Sequence, residues 1–384
     1  MSANEPVQKL SIKQMLMVMV KKDASDLYIT TDMPPAYRIE GIVYPVKQEP
    51  LNAVQCEQLA NSTMSEKQRA AFANDYEMNL ALAYPDLGRF RVNIFRQRGH
   101  TGMVIRQIKT QVPTLDELAL PEVFKDISMT KRGLVIMVGA TGSGKSTSLA
   151  AMIDHRNSNQ AGHIISVEDP IEFVHQHKKC IVTQREIGTD THEYHEALKN
   201  TLRQAPDVIL IGEIRDRETM EHALTFAETG HLCLSTLHAN NANQALERIM
   251  NFFPEESQPQ VSLNLALNLK SILSQRLVKM PDGARMPAIE ILINTPRVSD
   301  LISKWDITEI KEAMAAGKNY GMQTFDQHLL ELWKSGKISE EEALRQSDAV
   351  NDLRLKIKMS KLEGGDDRTD LDQISGMDSS DLKI

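Results

Sequence analysis

Short apolar runs separated by longer amphipathic stretches dominate the middle of the chain. None of these runs alternates between apolar and polar residues, which is typical of strands buried on both faces of a parallel sheet. They cover residues 134–138, 164–167, 208–211 and 232–235. Helix-like stretches lie between them, at residues 145–157, 193–203 and 218–228. The pattern predicts an α/β core with a parallel sheet from residue 133 onward.

Before that core, residues 1–110 show a different pattern, in which short strand-like runs are separated by turn residues. A polar, helix-favouring stretch over residues 52–74 divides the runs into two groups. The runs cover residues 27–30, 37–39, 42–46, 80–84, 89–95 and 102–108. This pattern predicts a small α+β domain.

After the core, residues 244–346 are predicted to be mostly helical. Apolar side chains alternate at positions 261, 263, 265, 267 and 269 as they would in a strand. The length of the segment and the apolar residues Ile272, Leu273 and Leu277 favour a buried helix instead. From residue 363 the chain carries seven acidic and two basic side chains, which is typical of a solvated, disordered tail. We therefore predict domains at 1–110 and 111–350, and a disordered acidic tail at 351–384.

The overall composition is that of an ordinary globular protein, with 41% hydrophobic and 25% charged residues. A net charge of -8 argues against a nucleic-acid partner, because proteins that bind phosphate backbones carry a basic surface. The cysteines form no CxxC pair, so we expect neither a disulfide framework nor a zinc ribbon. Apolar runs are far shorter than the ~20 residues that span a bilayer. We therefore expect a cytoplasmic protein without membrane insertion.

A glycine-rich segment follows the first of the buried strands. It matches the pattern GxxxxGK[ST] and consists of Gly139, Ala140, Thr141, Gly142, Ser143, Gly144, Lys145, Ser146 and Thr147. Such a loop between a strand and a helix turns its backbone N–H groups toward a phosphate, and the helix N-terminus adds positive potential. Lys145 can reach the β- and γ-phosphates, and the Ser146 hydroxyl can coordinate Mg²⁺. The segment predicts nucleotide binding, with ATP and Mg²⁺ as the cofactors.

Acidic or polar residues directly follow the other three buried strands. Glu168 and Glu172 come after the second run, Glu213 after the third, and His238 after the fourth. The carboxyl ends of parallel strands meet at one edge of a sheet, beside the phosphate loop. We therefore predict a shared catalytic site, although the pattern alone does not rank Glu172 above Glu168.

Four segments occur in the order and spacing of one known family: GATGSGKST, ISVEDPIEF, DVILIGEIRD and TGHLCLSTLHAN. Over residues 10–345 the sequence resembles the GspE/PilB/PilT secretion ATPases, and most closely the type IV pilus retraction ATPases among them. The resemblance implies a PAS-like N-terminal domain and a RecA-like ATPase domain with a mainly helical C-terminal part, assembled as a homo-hexameric ring. It also implies an ATP hydrolase that powers pilus retraction and twitching motility.

The resemblance further implies roles for single residues near the nucleotide. Glu172 matches the glutamate that activates the attacking water. Glu213 matches the Walker B acid, which acts through Mg²⁺ or its waters. His231 and His238 match the histidine box, which senses or positions the γ-phosphate region.

Two arginines of the N-terminal region also match the family. Arg91 in RFRVN and Arg106 in VIRQI correspond to arginines that a neighbouring subunit offers to the site. A guanidinium in that place offsets the charge that develops in phosphoryl transfer. The resemblance therefore implies that one chain alone holds an incomplete site.

The resemblance weakens after the ATPase core. Residues 297–304 read RVSDLISK where retraction ATPases carry an AIRNLIRE-like stretch, and the acidic tail extends beyond their usual end. Both departures favour a PilU-type member that assists a PilT-like sister ATPase. Such a protein would dock on the inner-membrane pilus platform protein from the cytoplasmic face.

Two alternatives stay open at this point. One is a nucleotide-binding regulatory subunit of a sister motor, with little turnover of its own. The other is a pilus-assembly or type II secretion ATPase. Members of that second group usually carry a long additional N-terminal region and a four-cysteine zinc site, neither of which is found in this sequence.

Overall fold

The computed structural model describes residues 11–39, 41–108 and 111–363, which form thirteen strands and fourteen α-helices. The strands are β1 (Asp26–Ile29), β2 (Ala36–Ile39), β3 (Ile42–Pro45), β4 (Glu77–Tyr84), β5 (Gly88–Gln97), β6 (His100–Ile108), β7 (Gly133–Val138), β8 (Gly162–Glu168), β9 (Cys180–Glu186), β10 (Val208–Ile211), β11 (Leu232–Leu237), β12 (Leu269–Lys279) and β13 (Arg285–Ile293). The helices are α1 (Ile12–Lys21), α2 (Ala53–Thr63), α3 (Glu66–Asp75), α4 (Val123–Ser128), α5 (Lys145–Asn159), α6 (Tyr194–Thr201), α7 (Arg217–Glu228), α8 (Ala242–Met250), α9 (Gln258–Asn268), α10 (Pro296–Ser303), α11 (Ile310–Ala316), α12 (Phe325–Lys334), α13 (Glu340–Gln346) and α14 (Val350–Glu363).

The described residues form two compact units. The first contains the chain up to Val112 together with Asn157–Pro206, and the second contains Pro113–Arg156 and the chain from Asp207. Each unit is therefore built from two separate stretches of the sequence. The linear domain boundary at residue 110 stays a prediction.

The first unit contains an antiparallel sheet with the strand order β3-β2-β1-β6-β5-β4. Burial alternates along β5, where Phe90, Val92 and Ile94 are fully buried and the residues between them are half-buried. Alternation of this kind is expected when one face of a sheet packs on a core and the other does not. Leu16 and Met19 of α1 belong to the same core. The predicted α+β character of this region is confirmed.

The second unit contains the strand order β13-β12-β7-β11-β10. Strands β10, β11, β7 and β12 run parallel, and β13 is antiparallel to β12. Every residue of β7 and β11 is buried, as their unbroken apolar sequences predict. Both strands end at the same edge of the sheet, where the phosphate loop follows β7.

The region after the core differs from the sequence-based prediction. Residues 258–268 form helix α9, as expected, but β12 and β13 then follow where a mostly helical region was predicted. Ile272 and Leu273, which favoured a longer helix, are fully buried in β12 between two neighbouring strands. A strand buried on both faces is as apolar as a buried helix, so its periodicity does not distinguish the two.

Helix α14 occupies the start of the predicted acidic tail. Leu353 and Ile357 are fully buried, and the Asp326 carboxylate accepts hydrogen bonds from the Asp348 and Ala349 N–H groups just before the helix. The predicted tail boundary at residue 351 therefore falls inside an ordered helix, because two apolar positions one turn apart anchor it. The remaining tail prediction, at 364–384, lies outside the described residues. Within the described ranges, no helix is both long and apolar enough to cross a membrane.

Candidate active site

The glycine-rich loop connects the end of β7 to the first residue of α5. Its three glycines, Gly139, Gly142 and Gly144, have φ angles of 155°, 77° and 88°. A Cβ on Gly139 would lie 2.4 Å from Ser143 Oγ, and one on Gly144 would lie 2.7 Å from Gln275 Nε2. The backbone conformation therefore favours glycine at all three positions, and space also requires it at Gly139 and Gly144. The loop is shaped as a cradle that fits a phosphate at the N-terminus of a long helix.

Lys145 is held against the beginning of the loop. Its ammonium donates hydrogen bonds to the carbonyl oxygens of Gly139 at 2.8 Å and Ala140 at 2.9 Å. Burial lowers the pKa of this ammonium, and the negative charge of Glu213 opposes that shift. The lysine is thus a preorganised cation in a partly desolvated place, where its attraction to a phosphate is strengthened.

The remaining predicted loop residues surround this cradle. Thr141 and Ser146 are exposed and Thr147 is half-buried. Ser146 lies in the first turn of α5, directly after Lys145. Its hydroxyl and the Glu213 carboxylate are oxygen donors, which is the chemistry that Mg²⁺ prefers.

Glu213 follows β10 and is held by two cationic or polar partners. Its Oε2 accepts from Arg215 Nε at 2.8 Å, and its Oε1 lies 3.2 Å from His238 Nε2. The strand ends that carry them are tied together, because the Ile214 N–H donates to the Thr236 carbonyl oxygen at 2.9 Å. The structure therefore brings Glu213 and His238 together, as predicted from the strand ends.

The surroundings of His238 favour its neutral form. Burial and the charge of Lys145 lower the pKa of the imidazole, against the opposing charge of Glu213. Arg248 and Arg215 lower that pKa further. A neutral imidazole can donate from one ring nitrogen and accept at the other, so His238 can relay the position of a nearby group to Glu213.

A cavity of about 380 Å³ opens beside the start of the loop. Its walls include Gly139, Ala140, His238 and the polar face of α8 with Glu247 and Arg248. The volume lies in the usual range of small-molecule sites. The phosphate loop is thus open on the side where His238 lies.

His231 is not brought to this site within its own chain. It precedes β11, whereas His238 follows that strand, and six strand residues span about 20 Å. The His231 carbonyl oxygen accepts from the N–H of Gly133, at the amino end of β7, and its ring lies 3.2 Å from the Phe226 carbonyl oxygen. The prediction that His231 contacts nucleotide conflicts with this position, because parallel strands place it at the opposite edge of the sheet.

In the first unit, burial distinguishes the two glutamates that the sequence pattern left unranked. The Glu168 carboxylate accepts from Ser166 Oγ at 2.7 Å and Gln184 Nε2 at 3.2 Å. Burial raises its pKa to about 7, against those hydrogen bonds. Glu172 is exposed. Glu168 is therefore part of the local framework, and Glu172 is the carboxylate that water can reach.

The two predicted arginines lie directly opposite each other in the sheet of the first unit. Arg91 of β5 pairs in register with Arg106 of β6, which in turn pairs with Asp26 of β1 and, through it, with Arg38 of β2. Like charges in facing positions repel each other, and directly paired residues of adjacent strands lie on the same face. The Arg91–Arg106 pair is thus on one face of the sheet.

Asp26 pairs with two of the arginines in this row. It is only 3% exposed, and its Oδ1 accepts from Arg106 Nε at 2.8 Å while its Oδ2 lies 3.5 Å from Arg38 Nε. The hydrogen bond to Asp26 raises the pKa of Arg106, and the charge of Glu172 adds to that shift. Arg106 is therefore a fixed cation, although most of its side chain is exposed.

Sequence reasoning missed three residues of the second unit. Arg215 binds Glu213, Arg248 lines the cavity, and Gln275 contacts the loop. Arg215 lies in the GEIRD segment and could have been found from its distance of two residues from Glu213. Nothing in the local sequence marks Arg248 or Gln275.

The glycine cradle, the buried lysine and the acid–histidine pair after parallel strands define a P-loop ATPase. The chain belongs to the type II/IV secretion system protein family, whose model matches residues 1–356. The family resemblance, the fold class and the ATP-hydrolase class predicted from the motifs are confirmed.

The relatives narrow the class further. The chain is 54% identical to the type IV pilus ATPase PilU of Pseudomonas aeruginosa, over 97% of this chain and 98% of that protein. It is 43% identical to the pilus retraction ATPase PilT of the same organism, over 87% and 97% of the two chains. The crystal structure of the pilus retraction motor PilT with bound ADP matches with a TM-score of 0.84 and 39% identity, over 90% of this chain and 99% of that one.

Proposed function

We propose that this chain is a Mg-dependent ATPase motor that powers or assists retraction of type IV pili, in the manner of a PilU-type partner of a PilT-like ATPase. The observation that carries the proposal is an intact phosphate loop with its clamped lysine, in a chain that aligns with PilU over nearly its whole length. Similarity to PilT is lower and covers less of the chain. The PilU-type assignment therefore agrees with the altered segment at 297–304.

The described residues support a separate role for each of them in hydrolysis. Lys145 and the loop N–H groups would hold the β- and γ-phosphates, while Ser146 and Glu213 would hold Mg²⁺, which would supply positive charge to neutralise the phosphates. His238 orients the Glu213 carboxylate. Glu172 takes the proton of the attacking water, since it is an exposed carboxylate whereas Glu168 is buried and accepts hydrogen bonds from Ser166 and Gln184.

The proposal includes a homo-hexameric ring, which the family resemblance supplies. Arg91 and Arg106 would act on the nucleotide of a neighbouring subunit and offset the charge of its transition state. Their facing positions support this role, because two guanidinium groups on adjacent strands repel each other. An anion bound beside both would relieve that repulsion. The ring would dock on the inner-membrane platform protein from the cytoplasmic side.

The enzymatic part is tested by ATP turnover of the purified chain and of Lys145→Ala. We expect the variant to lose turnover, because it loses a cation that is fixed beside the loop. Lys131→Ala, which removes an exposed lysine near the start of β7, is the matched control and should keep full turnover. Equal turnover in all three proteins would refute the assignment.

The cellular part is tested by measuring pilus retraction with this chain alone, with the PilT-like ATPase alone, and with both. We expect retraction force or frequency to rise only when this chain is added to its sister. A ring that binds ATP without hydrolysing it, yet still stimulates the sister, would instead favour a regulatory subunit. No effect in either background would refute the proposed role in retraction.

A further inference from the structure

Gln275 lies beside the phosphate loop although 132 residues separate it from Ser143. In the parallel pair of β12 and β7, Ser274 is in register with Val138, the last residue of β7. Gln275 is therefore level with Gly139, where the loop begins. A Cβ on Gly139 would lie only 2.5 Å from the Gln275 carbonyl oxygen. The backbone of β12 thus forms one wall of the loop.

The Gln275 side chain is 3% exposed, and both of its polar atoms are used. Its Nε2 donates to the Ser143 carbonyl oxygen at 2.7 Å, and its Oε1 accepts from the Ser148 hydroxyl of α5 at 2.7 Å. A carbonyl oxygen only accepts, so the amide nitrogen must face Ser143. One buried side chain therefore joins β12, the loop and the helix that follows it.

The bond to Ser143 fixes the direction of the peptide group between Ser143 and Gly144. In a planar trans peptide the C=O and the next N–H point in opposite directions. Because the Ser143 oxygen is held toward Gln275, the Gly144 N–H points away from the Gln275 side chain. A phosphate-binding loop offers such backbone N–H groups to its anion.

We infer that Gln275 is a positioning residue for phosphate binding, which aims the Gly144 N–H at the bound phosphate. The inference rests on the nucleotide-binding step of the proposed function. A donor that contacts phosphate equally in bound ATP and in the transition state contributes uniform binding. Its misalignment should therefore weaken nucleotide binding and raise KM more than it lowers kcat.

Two substitutions and one matched control test this role in the full chain. Gln275→Met keeps the length of the side chain and removes both hydrogen bonds. Gln275→Glu keeps an acceptor for Ser148 but replaces the donor that faces Ser143. Ser148→Ala removes only the bond on the helix side. The measurements are the Kd for a fluorescent ADP, KM and kcat for ATP, and the midpoint of thermal unfolding.

We expect the Kd for ADP and the KM for ATP to rise about 10-fold in both Gln275 variants, which corresponds to one misaligned hydrogen bond. We expect kcat to fall by less than about threefold, and Ser148→Ala to change each value by less than about threefold. Unchanged ADP affinity in either folded Gln275 variant would overturn the inference and leave the proposed function intact.

Three other results would also overturn it. If kcat and the unfolding midpoint fall while KM stays constant, or if Ser148→Ala loses as much affinity as the Gln275 variants, the side chain serves general stability only. If the unaltered chain does not bind ADP, both the inference and the proposed function fail.

Discussion

Replacing Glu168 by glutamine should make the protein more stable at alkaline pH. Glu168 is 8% exposed, and burial raises its pKa to about 7 from an ordinary value of 4.5. Between those two values the folded chain binds a proton that the unfolded chain has released. Stability from this group is therefore full below pH 4.5 and is lost as the pH rises through 7.

The size of the effect follows from the shift. At about 1.4 kcal/mol per pKa unit, the rise in the pKa of Glu168 on folding corresponds to about 3 kcal/mol of stability. About 2 kcal/mol of that stability is lost between pH 5.5 and 8.5. Glutamine resembles the neutral acid and does not titrate, so it removes this loss. It also replaces one acceptor oxygen by an NH₂ group, which costs about 1 kcal/mol. Glu168→Gln should thus be more stable than the unaltered chain by about 2 kcal/mol at pH 8.5.

Thermal unfolding at a series of pH values measures this difference. The midpoint of the unaltered chain should fall by roughly 2–3 °C more than that of Glu168→Gln between pH 5.5 and 8.5. Glu172→Gln is the matched control, because that glutamate is exposed and only four residues away. Parallel curves for the unaltered chain and Glu168→Gln, or a lower midpoint of the variant at pH 8.5, would refute the idea that burial penalises the charged carboxylate.

Three further predictions concern catalysis. Glu172→Gln should bind ATP normally but hydrolyse it at least ~10²-fold more slowly, and normal single-turnover rates would exclude it as the general base. Arg91→Ala and Lys145→Ala should each be inactive, yet mixed rings should recover part of the activity; no recovery after verified co-assembly would mean that Arg91 acts within its own subunit. Asp26→Asn should lower kcat by about 10-fold with KM unchanged, because Arg106 loses its charged anchor, and an unchanged kcat would show that Arg106 needs none.

The phosphate loop and the strands around it could be predicted because their determinants are local. A loop of nine residues contains its own glycines, lysine and helix start, so GATGSGKST predicts the left-handed glycines and the position of Lys145 from the local sequence. The same holds for Glu213 and His238, since polar residues after buried parallel strands meet at one edge. His231 does not follow this rule, because it precedes β11 instead of following it. That difference can be read directly from the sequence.

The cross-strand row of Asp26, Arg38, Arg91 and Arg106 is a different case. Each residue lies on its own strand, and only the register of β2, β1, β6 and β5 puts them side by side. A shift of one residue in any pair would turn a side chain to the other face. Sequence similarity identified two of the arginines, but their common anchor at Asp26 depends on pairings that no local pattern encodes.

Strand β12 shows why some of the site escapes sequence reasoning altogether. Its apolar residues are compatible with a buried helix or with a buried strand, and only pairing with β7 and β13 decides between them. Once that pairing exists, the register of Ser274 with Val138 puts Gln275 beside the loop. The loop residues predicted to contact phosphate are constrained by their neighbours in sequence. Gln275, which aims the Gly144 N–H, is instead placed by strand β12. The sequence pattern had predicted a mostly helical region there.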